Sequence, residues 1–92
     1  MPRLIIDVRT PAEYADRHLD GAVNLDLRGA AFATMLVEYP KGWEWEYVVY
    51  CNAGRRAGQA RSRMLEAGFL DVTSYGILGA SAATGQAILG AR

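Results

Sequence analysis

Short β-branched runs alternate with helix-length segments along this chain, and that alternation limits the fold more than any other feature. The clearest run is Glu46-Tyr47-Val48-Val49-Tyr50. Leu4-Ile5-Ile6-Asp7-Val8, Ala22-Val23-Asn24-Leu25 and Asp71-Val72-Thr73-Ser74-Tyr75 are weaker runs of the same kind. Each has the length and bulk of a buried strand. Between them lie segments with helical spacing. Thr10-Pro11-Ala12-Glu13 is a strong helix start, with a reciprocal capping box and proline at the first helical position, so a helix is expected from there to about His18. Phe32, Met35, Leu36 and Tyr39 set a second helix over 29–39, closed by Pro40 and Gly42. Ala57, Ala60, Met64 and Leu65 form the stripe of a third, with Gly68 just beyond its end. The tail from about Ser81 to Leu89 is expected to be helical, capping the sheet or packing on a second copy. Strands alternating with helices predict an α/β layered domain with a largely parallel sheet.

At 92 residues, 51% of them hydrophobic, the chain suffices for one core and not for two. We therefore expect one domain over 1–92. No repeat, linker or low-complexity tract interrupts it. The formal net charge is zero, which argues against nucleic acid as a partner. That balance hides an asymmetry: residues 1–46 hold eight acids and five bases, and residues 47–92 hold two acids and five bases. Arg55, Arg56, Arg61 and Arg63 fall in one acid-free stretch, a pattern suited to a small anion. One cysteine and one histidine exclude an intrachain disulfide and cannot assemble a structural zinc site. No apolar run approaches a membrane span, so no membrane partner is expected. The opening Met1-Pro2-Arg3-Leu4 lacks a signal-peptide layout. A cytoplasmic location is the expectation, or a periplasmic one if a leader was removed from a longer precursor.

In a parallel α/β sheet, ligands bind beyond the carboxyl ends of the strands. Cys51 stands there, directly after the strongest strand, in Tyr50-Cys51-Asn52-Ala53-Gly54-Arg55-Arg56-Ala57. A cysteine between a strand and a helix start faces unpaired amides and the positive end of the helix dipole. Arg55 and Arg56 add formal charge nearby. Both effects favour thiolate, the nucleophilic form. Ala53 and Gly54 are small enough for the backbone to curl round an anion as a nest. An isolated cysteine is usually an inert small hydrophobe; the cationic, small-residue loop favours the reactive reading here. Arg61 and Arg63 read as the solvated face of their helix.

Two stretches resemble the rhodanese family of sulfurtransferases. Ile6-Asp7-Val8-Arg9-Thr10-Pro11-Ala12-Glu13-Tyr14, then His18-Leu19-Asp20-Gly21-Ala22-Val23-Asn24-Leu25, is similar to its amino-terminal signature. Tyr50 to Arg55 with Gly58-Gln59-Ala60, then Gly68-Phe69 and Val72, is similar to its active-loop half. The resemblance covers about residues 4–78 and implies a three-layer α/β domain with helices on both sides of the sheet. It also implies that Cys51 accepts sulfane sulfur from a small anionic donor such as thiosulfate, releasing sulfite. The persulfide then passes its outer sulfur to cyanide or a thiol, and the amides of Asn52, Ala53, Gly54, Arg55 and Arg56 hold the substrate anion. No metal or organic cofactor is implied. In the family the matching His18 is structural, and Asp7 with Arg9 is expected to pair beneath the site floor.

Two departures stand out: Gly76-Ile77 replaces paired glycines after the last strand, and small residues with Leu78 replace a following aromatic. Both lie near the expected rim and bear on acceptor selection. The stretch ahead of Ile6 is too short for the extra strand and helix usual before the first motif. Trp43 and Trp45, alternating with Glu44 and Glu46, read as core packing or an exposed edge.

A persulfide-carrier or protein-binding module is the rival class, and a cysteine phosphatase or arsenate reductase the third. Cysteine phosphatases present an arginine after five intervening residues. From Cys51 to Arg56 there are four, and the next position is Ala57.

Overall fold

The computed structural model describes residues 2–90. Met1, Ala91 and Arg92, the ends of the expected 1–92 domain, lie outside the described residues. In chain order the elements are β1 (Arg3–Asp7), α1 (Pro11–Asp16), β2 (Arg17–Leu19), β3 (Val23–Asn24), α2 (Ala30–Glu38) and β4 (Glu46–Cys51), then α3 (Arg55–Glu66), β5 (Val72–Gly76), α4 (Ile77–Thr84) and β6 (Ile88–Gly90). The main sheet has the order β3-β1-β4-β5, with every neighbouring pair parallel. Ile6 lies opposite Val49, and Tyr50 lies opposite Asp7 on one side and Tyr75 on the other.

Side chains alternate across the pleat, so each central strand feeds two cores. Ile6, Val8, Tyr47, Val49 and Cys51 point to one face, where Phe32 and Met35 of α2 and Ala57, Ala60 and Met64 of α3 cover them. Ile5, Val48 and Tyr50 point to the other, beneath Leu19, Ala22, Ile77 and Ala80, with Tyr14 and Ile88 packed alongside. The result is three layers, an α/β sandwich around a parallel sheet. Helix α3 lies close on the sheet because its inward residues are mostly small. It stops at Gly68, whose positive φ lets Phe69 N donate to Met64 O at 3.0 Å and Gly68 N to Leu65 O at 3.1 Å.

Four expectations are corrected. The first helix ends at Asp16 and not near His18, because Arg17–Leu19 is extended and pairs antiparallel with Ile88–Gly90. This pairing buries Leu19 completely against the second face. The tail helix does not run over 81–89. It occupies Ile77–Thr84, ends on the left-handed Gly85 (φ 76°), and gives way to β6. The tail thus caps the sheet, in part as a strand. The expected second strand shrinks to Val23–Asn24. Arg61 and Arg63 are exposed, yet they are more than a solvated face: Arg61 Nε donates to Val72 O and Arg63 Nη1 to Leu27 O. Trp45 packs on the first core, while Trp43 is exposed. No described helix is long and apolar enough to cross a membrane.

Candidate active site

Cys51 closes β4 and its side chain joins the core beneath α3. The chain must turn at once from strand to helix, and Gly54 makes this possible with φ 103°, a region L side chains rarely adopt. The turn brings two amides to the sulfur: Gly54 N donates to Cys51 Sγ at 3.0 Å and Ala57 N at 3.3 Å. The first amides of α3, those of Arg55 and Arg56, have no intrahelical carbonyl to bond. Negative charge on Sγ, or on an atom bonded to it, therefore meets convergent donors and a helix amino terminus. Asn52 and Ala53 are exposed at the crest of the loop, and Arg55 is exposed beside them.

The amino-terminal signature holds this loop in place. Asp7 and Arg9 form the expected pair, at 2.7 Å, and both are almost wholly buried. Arg9 Nη1 also donates to Asn52 Oδ1 at 3.0 Å, and Arg9 Nη2 donates to Arg17 O. Burial pulls the Arg9 pKa down and the Asp7 contacts more than reverse this, so the guanidinium stays charged. On the other side of Asn52, its Nδ2 donates to Glu13 Oε2 at 3.0 Å.

Glu13 carries two structures at once. Its Oε1 accepts from Thr10 N at 3.0 Å and completes the capping box of α1. Both of its oxygens accept from Arg56, at 2.8 Å and 3.0 Å. The Arg56 hydrogen bonds, followed by Thr10 N, lower the Glu13 pKa to about 2. Glu13 in turn raises the Arg56 pKa. Arg56, expected at the substrate anion, thus has its guanidinium engaged by Glu13. Arg55 has no side-chain hydrogen bond or ion pair among the described residues.

His18 lies in β2, within the layer that covers the second face. Its ring stacks on Tyr14 with centroids 3.8 Å apart, and Nδ1 bonds to Tyr14 O at 2.8 Å. Tyr50 accepts from Leu19 N at 2.9 Å, and burial raises its pKa far above the ordinary phenol value. No group of three or more His, Cys, Asp or Glu side chains gathers to hold a metal ion among the described residues.

Two contributors escaped sequence reasoning, and a third was read only as a departure at the rim. The Ala57 amide reaches Sγ although Ala57 has no chemistry of its own. Glu13 had a complete local explanation as a cap. Gly76 backs the loop: a Cβ there would lie 2.8 Å from Asn52 O. Its place at the end of β5 was a visible signal for that contact. Asn52 O also accepts from Ile77 N at 3.2 Å, so the Gly76-Ile77 pair is the shelf on which the loop rests.

Known proteins resemble this chain in sequence and in fold. Residues 1–78 match the Rhodanese-like domain family. Thiosulfate sulfurtransferase PspE of Escherichia coli K12 is 37% identical over 71 residues, covering 77% of this chain and 66% of that protein. The thiosulfate:glutathione sulfurtransferase of Saccharomyces cerevisiae is 28% identical over 81 residues, covering 78% of this chain and 58% of that one. The chain thus spans just under two thirds of the first relative and less of the second. A solved E. coli structure, a rhodanese with anions, superposes with a TM-score of 0.76 at 29% identity over 97% of this chain and 99% of that one. With a match over most of its length and a common fold, the chain belongs to the rhodanese-like domain family.

Proposed function

We propose that residues 1–92 form one sulfurtransferase domain, moving sulfane sulfur from thiosulfate to a thiol or to cyanide through a persulfide on Cys51. The observation that carries this reading is the pair of amides on Sγ, from Gly54 at 3.0 Å and Ala57 at 3.3 Å, at the start of α3. Donors aimed where negative charge resides favour the thiolate before attack and the persulfide after it. The Cys51 thiolate attacks the outer sulfur of thiosulfate. An Sγ–S bond forms, the S–S bond of thiosulfate breaks, and sulfite leaves with the electron pair. An acceptor thiolate or cyanide then attacks the outer sulfur of the persulfide, and the Cys51 thiolate is restored. The amides of Asn52, Ala53, Gly54, Arg55 and Arg56 surround the transferred sulfur and its donor. Names of the relatives support the same donor, and that of the yeast relative supports a thiol acceptor.

Loop length argues against phosphoryl transfer. After Cys51, the position where a cysteine phosphatase presents its arginine is Ala57. Its amide is already on the sulfur, which leaves a ring suited to one terminal sulfur and cramped for three equatorial oxygens. We expect no Cys51-dependent hydrolysis of aryl phosphates; efficient hydrolysis would reassign the reaction. Replacement Cys51→Ser tests the nucleophile. Thiosulfate:cyanide transfer should fall to background while the far-ultraviolet circular dichroism spectrum is unchanged. Transfer near the wild-type rate in that variant would remove Cys51 from the mechanism.

A further inference from the structure

We propose that Glu13 is a positioning residue that neutralises and fixes Arg56, leaving Arg55 as the loop arginine whose charge selects the donor. The inference rests on the sulfurtransferase reading above. Two adjacent arginines follow Gly54, and their surroundings differ. Arg56 meets both oxygens of Glu13, the bidentate geometry that most restricts a guanidinium. The same carboxylate holds Asn52 Nδ2 at 3.0 Å, while Arg9 holds Asn52 Oδ1 at 3.0 Å. One carboxylate from α1 therefore grips the loop on both sides of Gly54. The grip is anchored in turn, since Glu13 also accepts from Thr10 N and Thr10 Oγ1. Arg56 still interacts with nearby Cys51, but the paired carboxylate offsets much of its charge there. Arg55 is exposed, with no side-chain partner among the described residues, so its charge is the one available to an approaching dianion.

Two sulfane donors that differ by one charge test this division. Thiosulfate is a dianion, and methanethiosulfonate is a monoanion that leaves as methanesulfinate. Both deliver one sulfur to a thiolate. KM and kcat are measured for each donor with cyanide as acceptor, at low and at moderate salt. Arg55→Gln should raise KM for thiosulfate roughly fivefold more than KM for methanethiosulfonate, and salt should shrink the gap. The neutral exchange Glu13→Gln with Arg56→Gln should keep the wild-type ratio of the two KM values. It should also lower kcat for both donors by about tenfold, because the loop loses its grip. Arg56→Lys, which preserves the pair's charge balance, should keep the ratio and recover part of kcat. It also provides the test if the double variant does not fold.

Loss of donor selectivity in the Glu13/Arg56 double variant or in Arg56→Lys, equal to that in Arg55→Gln, would overturn the proposal. Arg56 would then touch the donor itself. An unchanged ratio with unchanged kcat would overturn the positioning role. If neither donor loads sulfur onto wild-type Cys51, the sulfurtransferase reading falls and this inference with it.

Discussion

The two faces of the sheet are built on different principles, and the site draws on both. The face under α2 and α3 is apolar throughout its buried cluster, from Ile6 and Phe32 to Met64 and Phe69. Cys51 is part of that cluster, held as tightly as any core residue. The opposite face carries the only two buried charged residues among those described, Asp7 and Arg9, with the Arg9 guanidinium 5.6 Å from the Tyr50 ring centroid. Burial of apolar surface positions the sulfur; a polar network passing from β1 through Arg9 to Asn52 positions the loop around it. The first face thus seats the sulfur by packing, and the second fixes the loop by charge and hydrogen bonds. A substitution in the first core should lower the folded fraction, whereas one in the second network should also change the turnover of folded molecules.

The strongest test removes one member of each. Arg9→Met leaves the buried Asp7 carboxylate only the backbone amide of residue 9 and no cationic partner, a loss of about 3–5 kcal/mol. Phe32→Ala empties a fully buried site in the first core, at a similar cost of about 3–5 kcal/mol. Denaturant titration should give comparable losses. The kcat of the folded fraction, taken at a temperature where that fraction is known, should drop in Arg9→Met and stay near wild type in Phe32→Ala. Equal kcat in the two variants would remove the distinction between the faces.

A smaller effect is expected where the loop meets its shelf. Gly76→Ala places a methyl group 2.8 Å from Asn52 O, so the loop backbone must move. Stability should fall by about 1–3 kcal/mol. Thiosulfate turnover should fall further than that loss alone explains, since Asn52 is held by Arg9 and Glu13. Turnover equal to wild type would show that the loop tolerates displacement.

How much of this was legible in the sequence follows the range of the interactions. Strand β4 and helix α3 were readable because each rests on local signals: a run of β-branched and aromatic residues, a stripe at helical spacing, and Gly68 at the end. Pairing of β2 with β6 was not readable. Each is three residues long, and Arg17-His18-Leu19 has no strand-like composition, so only partners some seventy residues apart in sequence make them strands. The same holds in the site. Cys51 and the small-residue loop announced themselves through local chemistry. The hold of Glu13 on Arg56 did not, because the capping box at Thr10 accounted fully for that carboxylate and its second partner lies 43 residues away. The Ala57 amide was hidden for another reason: side-chain identity says nothing of where a backbone amide points.

The smallest effect concerns acid. Glu13 has its pKa lowered to about 2 by Arg56 and Thr10, against an ordinary value of 4.5. The unfolded chain therefore takes up the proton first as pH falls. The stabilisation from this pair is complete above about pH 4.5 and is lost progressively down to about pH 2. The pair is partly exposed, so the loss should be under about 1 kcal/mol. Denaturant titrations at the two ends of that window, on wild type and on Glu13→Gln, isolate it. The wild type should lose more stability than the variant. An identical loss would mean that the ion pair is broken by solvent and contributes nothing.

The central claim is that Cys51 stores a sulfur atom in its cradle of amides, and intact mass spectrometry after incubation with thiosulfate tests it most directly. The wild-type protein should gain the mass of one sulfur atom and lose it on addition of cyanide or a thiol, while Cys51→Ser gains nothing. An unchanged wild-type mass, or the same gain in the cysteine-free variant, would contradict the account.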